Sequence, residues 1–150
     1  MRQPPAQKLM IISSTANAVP IPAGGLDLVW PHVEGWIKAA TDHATGHWKP
    51  EHVREQIASG AAQLWVVMLG QSARAAIVTE IEDGPSQRIG RIAILGGVGF
   101  RKWRRVIDQL EAWAREQGAQ EMEIIGRDEW RRVLASDGYQ QRAIVLRKPL

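Results

Sequence analysis

Residues 88–125 read RIGRIAILGGVGFRKWRRVIDQLEAWAREQGAQEMEII, and this stretch decides the fold. Its apolar opening, Arg88–Leu95, predicts a β-strand. Across residues 103–114 apolar side chains recur at three- and four-residue steps, which predicts an amphipathic helix that Gly118 ends. Glu121–Ile125 then predicts a second strand. A strand, a helix and a strand in this order indicate two parallel strands joined by a crossover.

The sequence before this unit predicts two helices followed by an antiparallel meander. Apolar residues repeat with helical spacing from Asp27 to Ala40, and Pro50 begins a shorter helix that ends before Gly60. Short turns rich in glycine, serine and proline separate the apolar runs that follow, as hairpins require. The predicted strands of the meander are Gln63–Leu69, Ala73–Ile81 and Arg88–Leu95.

Both ends of the chain carry weaker patterns. Residues 1–25 are rich in proline and predict an irregular N-terminal arm with one short strand, at Leu9–Ser13 or at Val19–Ile21. After the crossover we expect a short helix that begins at Asp128, and Ala143–Leu146 predicts a closing strand. No repeat or linker divides the 150 residues, so we expect one domain of the α/β class, an α+β mixed sheet flanked by helices.

The composition excludes several classes of protein. The chain has no cysteine, which rules out a disulfide framework and a cysteine nucleophile and suits a reducing compartment. No apolar run approaches the roughly 20 residues of a membrane helix, so no membrane partner is expected. The net charge of +3 is only mildly basic.

The element order and the second half of the sequence resemble the GNAT (Gcn5-related N-acetyltransferase) superfamily. Residues 109–119, QLEAWAREQGA, resemble the central cofactor-side helix of that family, and residues 127–146 resemble its closing helix and strand. The whole is similar to small GNAT-like proteins of tailed bacteriophages and prophages, in which DLVWP at 27–31 and QLW at 63–65 have close counterparts. The resemblance covers residues 20–150 and implies the acyl-CoA N-acyltransferase fold, with acetyl-CoA as the cofactor of an active member.

The cofactor loop of the family has only a displaced counterpart in this chain. Active members place a glycine-rich loop before the central helix, where backbone N–H groups bind the coenzyme A pyrophosphate. In the matching register this chain has Val98, Arg101 and Trp103. The resemblance therefore implies a shifted cofactor site, made by Leu95, Gly96, Gly97, Gly99, Arg101, Lys102 and Arg104. The alternative is a strand end followed by a solvated basic turn.

The catalytic groups of the family are also altered. Leu134 stands where many members have a tyrosine that protonates the departing thiolate, and Tyr139 is expected to pack as an aromatic residue. Glu80 and Glu82 lie on a central strand where some members hold a general base, which makes them the candidate catalytic residues. The alternative is that both glutamates face solvent.

Two other clusters do not predict a site. Of His43, His47 and His52, the first two are four residues apart and could face together on a helix, but no glutamate follows His43 as in a zincin motif. Gly46 and Pro50 indicate that the helix is ending there, so we expect no metal. The basic residues 101–105 alternate with tryptophan, but the helical period of Trp103 and Trp130 predicts core positions. Nucleic acid is therefore not an expected partner.

Two functions remain open. In the first, the chain is an acetyl-CoA-dependent N-acyltransferase with degenerate motifs. In the second, it is a non-catalytic GNAT-fold protein, a structural or interaction part associated with a bacteriophage virion. Trp36, Trp48 and the arm 1–25 would then contact protein partners. The expected location is the cytoplasm of a bacterial host cell or the virion.

Overall fold

The computed structural model describes residues 15–43 and 48–150. The strands of this part of the chain are β1 Ala16–Ile21, β2 Gln63–Leu69, β3 Ser72–Asp83, β4 Arg88–Gly97 and β5 Glu121–Ile124. Its α-helices are α1 Leu26–His43, α2 Pro50–Ala58, α3 Phe100–Trp103, α4 Val106–Glu116 and α5 Glu129–Val133. No helix in these ranges is long and apolar enough to cross a membrane.

The five strands form one mixed sheet in the order β1-β2-β3-β4-β5. Neighbours are antiparallel from β1 to β4, whereas β4 and β5 are parallel. The predicted meander and the predicted crossover are both confirmed. Of the two N-terminal strand positions, the one at Val19–Ile21 is found within β1, and Leu9–Ser13 lies outside the described residues.

Helices cover both faces of the sheet, because the alternating side chains of the strands supply two apolar faces. The first core, under α1 and α2, includes Trp30, Val33, Ile37, Ile57, Leu64, Ala76 and Val78. The second core, under α3 and α4, includes Trp65, Val67, Ile77, Ile92, Trp103, Ile107 and Leu110. The fold is therefore a three-layer sandwich with the mixed sheet in the middle.

A β-bulge interrupts the pairing of β3 with β4. Val78 is opposite Ile94 and Thr79 is opposite Ile92, so Ala93 has no partner residue on β3. The extra residue bends β4 and shifts the face on which the following side chains lie. This bulge falls one residue beyond the point at which β5 stops pairing with β4.

The structure corrects two of the predicted elements. The central helix is divided into α3 and α4 by a turn at residues 104–105. The closing strand predicted at Ala143–Leu146 is absent, and residues 140–150 belong to no helix or strand. A strand needs a second backbone alongside it for its ladder of hydrogen bonds, and this segment has none within the described chain.

A buried hydrogen bond links β2 and β3 through the second core. The Trp65 Nε1–H donates to the Thr79 hydroxyl over 2.8 Å, and both residues are almost fully buried. We expect Thr79→Val to lower the free energy of unfolding by about 2 kcal/mol, because the indole N–H loses its acceptor. Urea unfolding followed by tryptophan fluorescence measures the change.

The control is Thr41→Val, which makes the same replacement at another buried threonine. The Thr41 hydroxyl donates to the Lys38 carbonyl within α1, so its removal leaves no buried donor behind. We expect this variant to lose under about 1 kcal/mol. Equal losses in the two variants would contradict a specific role for the Trp65–Thr79 bond.

Candidate functional site

The two parallel strands separate at one end of the sheet. β4 pairs with β5 only from Ile89 opposite Glu121 to Ile92 opposite Ile124. β4 nevertheless continues to Gly97 while still paired with β3 on its other side. In the described part of the chain, the backbone of residues 93–97 therefore faces no strand on the β5 side. This opening between β4 and β5 is the natural place for an extended ligand to add beside β4.

A cluster of charged side chains lies at the closed end of this opening. Arg91 contacts Glu80 over 3.3 Å and Glu123 over 2.8 Å, and it also pairs with Glu82. Glu80, Arg91 and Glu123 are direct neighbours across β3, β4 and β5, which explains why they meet. Three carboxylates against one guanidinium give the cluster a net charge of −2.

The cluster opens onto a groove of about 460 Å³. We call it the acidic groove, and its lining residues are Trp48, Gln56, Ala61, Glu80, Ile81, Glu82, Asp83 and Arg91. Burial lowers the pKa of Arg91, but hydrogen bonds with Glu123 and Glu82 outweigh burial and raise that pKa above its ordinary value. Arg91 therefore stays charged and holds the carboxylates in place. Sequence reasoning found Glu80 and Glu82 but missed Arg91 and Glu123, which only strand register brings to them.

The three glycines of the predicted cofactor loop have different roles. A Cβ on Gly96 would lie 2.3 Å from the Trp36 carbonyl oxygen of α1, so Gly96 allows helix and strand to approach. Gly97 has φ +154°, and its Cβ would lie 2.4 Å from the Ala75 Cβ. Gly99 has φ +71° and no other atom within 4 Å of its Cβ position. Only Gly99 therefore leaves open space beside the backbone.

Two of the predicted basic residues are available to a ligand and one is not. Arg101 and Lys102 are exposed, and neither has an ion-pair partner among the described residues. Arg104 is bound instead to Asp137 over 2.7 Å and to the Ser136 hydroxyl over 2.8 Å. The predicted residue Leu95 packs against the second core, which its apolar side chain explains.

Arg74 is a further cation at this loop that sequence reasoning missed. Its Nε is buried and has no hydrogen-bond partner in the described structure. Its carbonyl oxygen accepts a hydrogen bond from the Val98 N–H over 3.0 Å, which places Arg74 beside the loop that follows β4. A buried guanidinium N–H without an acceptor is costly. In the sequence, an arginine inside a predicted strand gave no signal of this position.

Three aromatic rings connect the segment after β4 with the segment after β5. Phe100 lies 4.8 Å from Trp103 and 4.8 Å from Trp130, edge to face in both cases. The Trp103 indole N–H donates to the Val98 carbonyl over 2.8 Å. Trp130 lies against the backbone of Gly126, where a Cβ would meet its ring at 2.7 Å. We call these three residues the aromatic bridge. Trp103 is fully buried as predicted, whereas Trp130 is half-buried.

Neither of the two positions considered for a proton donor carries a free hydroxyl group. Leu134 is 1% exposed and belongs to the apolar interior. The Tyr139 hydroxyl donates to Glu111 Oε2 over 2.6 Å, and its ring packs against the second core as predicted. Burial first, and then the hydrogen bond with Glu111, raises the pKa of Tyr139 far above its usual range. Tyr139 therefore keeps its proton at neutral pH.

The candidate site thus has two parts at opposite ends of one open strand. The acidic groove lies at Arg91. At the far end of β4 lies the basic loop, which we define as Gly99, Arg101 and Lys102 together with Arg74 of β3 beside them. Arg91 and Gly97 are six residues apart, a separation of about 20 Å along an extended strand. No cluster of three or more metal-binding side chains occurs in residues 15–43 and 48–150, and His47 lies outside these ranges.

No protein-family model matches the sequence, and no curated protein is significantly similar to it. Solved structures match over most of the chain. A GCN5-related N-acetyltransferase from Ralstonia eutropha JMP134 has a TM-score of 0.62 at 16% identity, covering 90% of this chain and 98% of that one. The aminoglycoside N-acetyltransferase AAC(6')-Iy, in complex with CoA, has a TM-score of 0.61 at 14% identity, covering 91% and 97%. Glucosamine-6-phosphate N-acetyltransferase from Arabidopsis thaliana has a TM-score of 0.59 at 15% identity, covering 90% and 98%.

These matched structures agree with the mixed sheet and flanking helices described above. Each match spans nearly the whole of the other chain, so the likeness concerns the complete domain rather than one motif. Because the identities are low, the likeness establishes the arrangement of strands and helices and leaves the activity open. The mixed sheet with its flanking helices is the fold of the GCN5-related N-acetyltransferases.

Proposed function

We propose that this chain is an acyl-CoA-dependent N-acyltransferase that receives its acceptor amine in the acidic groove. The observation that carries the proposal is the separation of β4 from β5 directly beside Arg91 and its carboxylates. The opening and the groove meet at this point, so an acyl donor along β4 and an amine in the groove would come together. The structural neighbours are acetyltransferases, one of them in complex with CoA.

The acidic groove suits a cationic acceptor. The three carboxylates that line it, Glu80, Glu82 and Asp83, give a net charge of −2 after Arg91 is counted, which favours an ammonium group over a neutral or anionic ligand. Glu82 is half exposed and Glu80 is a quarter exposed, so both carboxylates are open to a ligand. An amine of a small cationic molecule or a lysine side chain is the substrate class that this charge pattern favours.

The basic loop suits the phosphates of the acyl donor. Arg101 and Lys102 are unpaired in the described chain, Arg74 has an unsatisfied Nε, and Gly99 leaves space beside the backbone. Arginine and lysine are the ordinary partners of phosphate groups. Acyl-CoA would supply an activated acyl group as its thioester. Gly96 and Gly97 pack against other atoms of the protein, so in this proposal they allow close packing at the end of β4 and do not contact phosphate.

The residues of the chain act mainly by positioning. The bound ammonium group first loses one proton to water, because only the neutral amine has a lone pair. The amine loses a second proton as its nitrogen bonds to the acyl carbon, and Glu80 or Glu82 accepts this second proton in this proposal. The carbon–sulfur bond then breaks and the thiolate takes a proton from water, since Leu134 carries no acidic hydrogen and Tyr139 is bound to Glu111. Holding both reactants beside β4 contributes the larger part of the rate enhancement.

A second candidate function rests on the aromatic bridge. Phe100 and Trp130, with ring centroids 4.8 Å apart, join the segments that follow β4 and β5. The second candidate is a non-catalytic GNAT-fold protein that binds other proteins in a bacteriophage particle or in the bacterial cytoplasm. Trp48 is 45% exposed and Leu28 is 81% exposed, which favours protein contacts at these positions.

Binding of acetyl-CoA to a loop variant separates the two candidates. We expect the double variant Arg101→Ala/Lys102→Ala to weaken acetyl-CoA binding at least tenfold in isothermal calorimetry, because two phosphate partners are lost. The control is Arg105→Ala, which removes an 89% exposed arginine from the adjacent turn. Equal affinity in the two variants would contradict the assignment of the basic loop.

The acidic groove is tested by acyl transfer to a panel of amines. We expect Glu80→Gln/Glu82→Gln to reduce kcat/KM for the best cationic acceptor by about a hundredfold, with acetyl-CoA affinity unchanged. Asp83→Asn is the control, because Asp83 lines the same groove but pairs with Arg88 rather than Arg91. A similar loss in the control would mean that groove charge alone, and not the two glutamates, acts on the amine.

A further inference from the structure

A second groove lies at the surface between α1 and α2, over the first core. Its volume is about 360 Å³, and its lining residues are Trp30, Glu34, Glu51, Arg54, Glu55 and Ala58. The first two belong to α1 and the other four to α2. Residues three or four apart on a helix are neighbours, so each helix presents one continuous strip of side chains to this space. We call it the helix groove, and it shares no lining residue with the acidic groove.

The cation among these lining residues, Arg54, is already bound within the chain. Its guanidinium donates a hydrogen bond to the Asp27 carboxylate over 2.8 Å. The central carbon of the same guanidinium lies 5.3 Å from the centroid of the Trp30 ring, as in a cation–π contact. Arg54 therefore joins α2 to α1, and its charge is matched by Asp27, which does not line the groove.

The three glutamates of the helix groove have no such partner. Glu34, Glu51 and Glu55 are exposed, and none of them forms an ion pair or a side-chain hydrogen bond with any residue that the structure describes. With Arg54 counted, the lining residues carry a net charge of −2, although the whole chain carries +3. Trp30 and Ala58 give the same groove apolar surface between its acidic walls.

The position of Glu55 is unfavourable for the free chain. Glu55 is four residues from Glu51 on α2, and like charges at this spacing repel each other. The Ser59 N–H donates to the Glu55 carbonyl over 2.9 Å, which places Glu55 in the last turn of the helix. A negative charge there meets the negative end of the helix dipole, and the last turn contains no basic residue. A cation in the helix groove would relieve both repulsions.

We propose that the helix groove binds a basic, amphipathic segment of a partner protein. The lysine or arginine heads of that segment pair with the three free glutamates, and its apolar side chains lie on Trp30 and Ala58. Carboxylates stand on both walls, so a ligand with one charge leaves most of them unpaired, and a purely polar polycation leaves the apolar surface uncovered. Charge complementarity thus favours a segment with both properties. This inference does not depend on the proposed function.

Binding of a model peptide tests the proposal. The probe is a fluorescein-labelled helical peptide of alanine, leucine and lysine, with its lysines at successive helical turns, and fluorescence anisotropy follows its binding to the full chain. We expect Glu34→Gln/Glu55→Gln to weaken binding about tenfold, because each wall loses one carboxylate. The control Glu116→Gln/Glu121→Gln removes two carboxylates that are likewise exposed and unpaired within the described chain, and it should bind as the wild type does.

Other occupants of the helix groove give different results. Equal losses in the two double variants, or no binding to the wild type, would overturn the proposal. Displacement of the peptide by an equal concentration of spermidine would show a site for small cations instead. A loss confined to Glu80→Gln/Glu82→Gln would place the peptide in the acidic groove. A wild-type dimer that Glu34→Gln/Glu55→Gln makes monomeric would identify a second copy of this chain as the occupant. Each of these three results also contradicts the proposal.

The stability of the free chain separates a binding role of Glu55 from a structural one. We expect Glu55→Gln to unfold at a higher urea concentration than the wild type, because repulsion from Glu51 is removed. The difference should shrink in high salt, which screens exposed charges. A carboxylate that served the fold would lower the urea midpoint when neutralised. A lower midpoint for Glu55→Gln would therefore contradict the assignment of this residue to a partner.

Discussion

Trp103→Ala should cost the fold about 3–5 kcal/mol of unfolding free energy. The Trp103 side chain is 1% exposed and lies in the second core, and its indole N–H holds the Val98 carbonyl. Truncation leaves a large cavity and an unsatisfied carbonyl, and it removes one ring of the aromatic bridge. Urea or thermal unfolding measures the loss, which is a large share of the stability of a domain of this size.

The matched control is Trp48→Ala. Trp48 is 45% exposed and contacts His52 at a ring distance of 6.3 Å, so its truncation opens no cavity. We expect its cost to stay under about 1 kcal/mol. A small loss for Trp103 as well would mean that the loop between β4 and α4 is packed more loosely than the structure indicates.

A single added methyl at Gly97 should also have a large effect. The Cβ of Gly97→Ala would lie 2.4 Å from both the Ala75 Cβ and the Arg74 carbonyl oxygen, and φ at this position is +154°. Strand β3 cannot move away without breaking its pairing with β2 and β4. We therefore expect Gly97→Ala to lower the free energy of unfolding by about 3 kcal/mol, from steric overlap and backbone strain together.

Two other glycine variants separate packing from ligand binding. Gly24→Ala meets no atom within 4 Å at an ordinary φ and should be neutral. Gly99→Ala also meets no atom, but its φ of +71° should cost about 1 kcal/mol. If Gly97→Ala were as stable as Gly24→Ala, Gly97 would not be a packing residue. It would then return as a candidate for contact with phosphate.

The architecture was predictable from sequence because its signals are local. Helical periodicity in α4 and the turn residues around β2, β3 and β4 depend on neighbours in the chain, and these elements were found as expected. The prediction of a closing strand was wrong because it also rested on a local signal alone. The apolar, β-branched run at residues 143–146 is real, but a strand exists only where another backbone lies beside it, and sequence alone does not give the partner.

The candidate site was predictable only in part. Glu80 and Glu82 were nominated from a resemblance, yet the group that orients them, Arg91, comes from the next strand and its second partner Glu123 from the one after. The row Glu80–Arg91–Glu123 forms only in one register of the three strands, and the bulge at Ala93 shifts the register between β3 and β4. Arg104 was expected at a phosphate, but Asp137 lies 33 residues away in sequence and binds it in the fold.

The most direct test of the central claim is calorimetric binding of acetyl-CoA to the purified full chain. If the opening beside β4 and the basic loop form an acyl-CoA site, the protein binds acetyl-CoA with a Kd in the micromolar range, about −8 kcal/mol. Absence of binding at millimolar acetyl-CoA would contradict the acyltransferase account. We would then conclude that the contact between Phe100 and Trp130 closes the space between β4 and β5 to acyl-CoA. The fold would serve as a protein-binding scaffold.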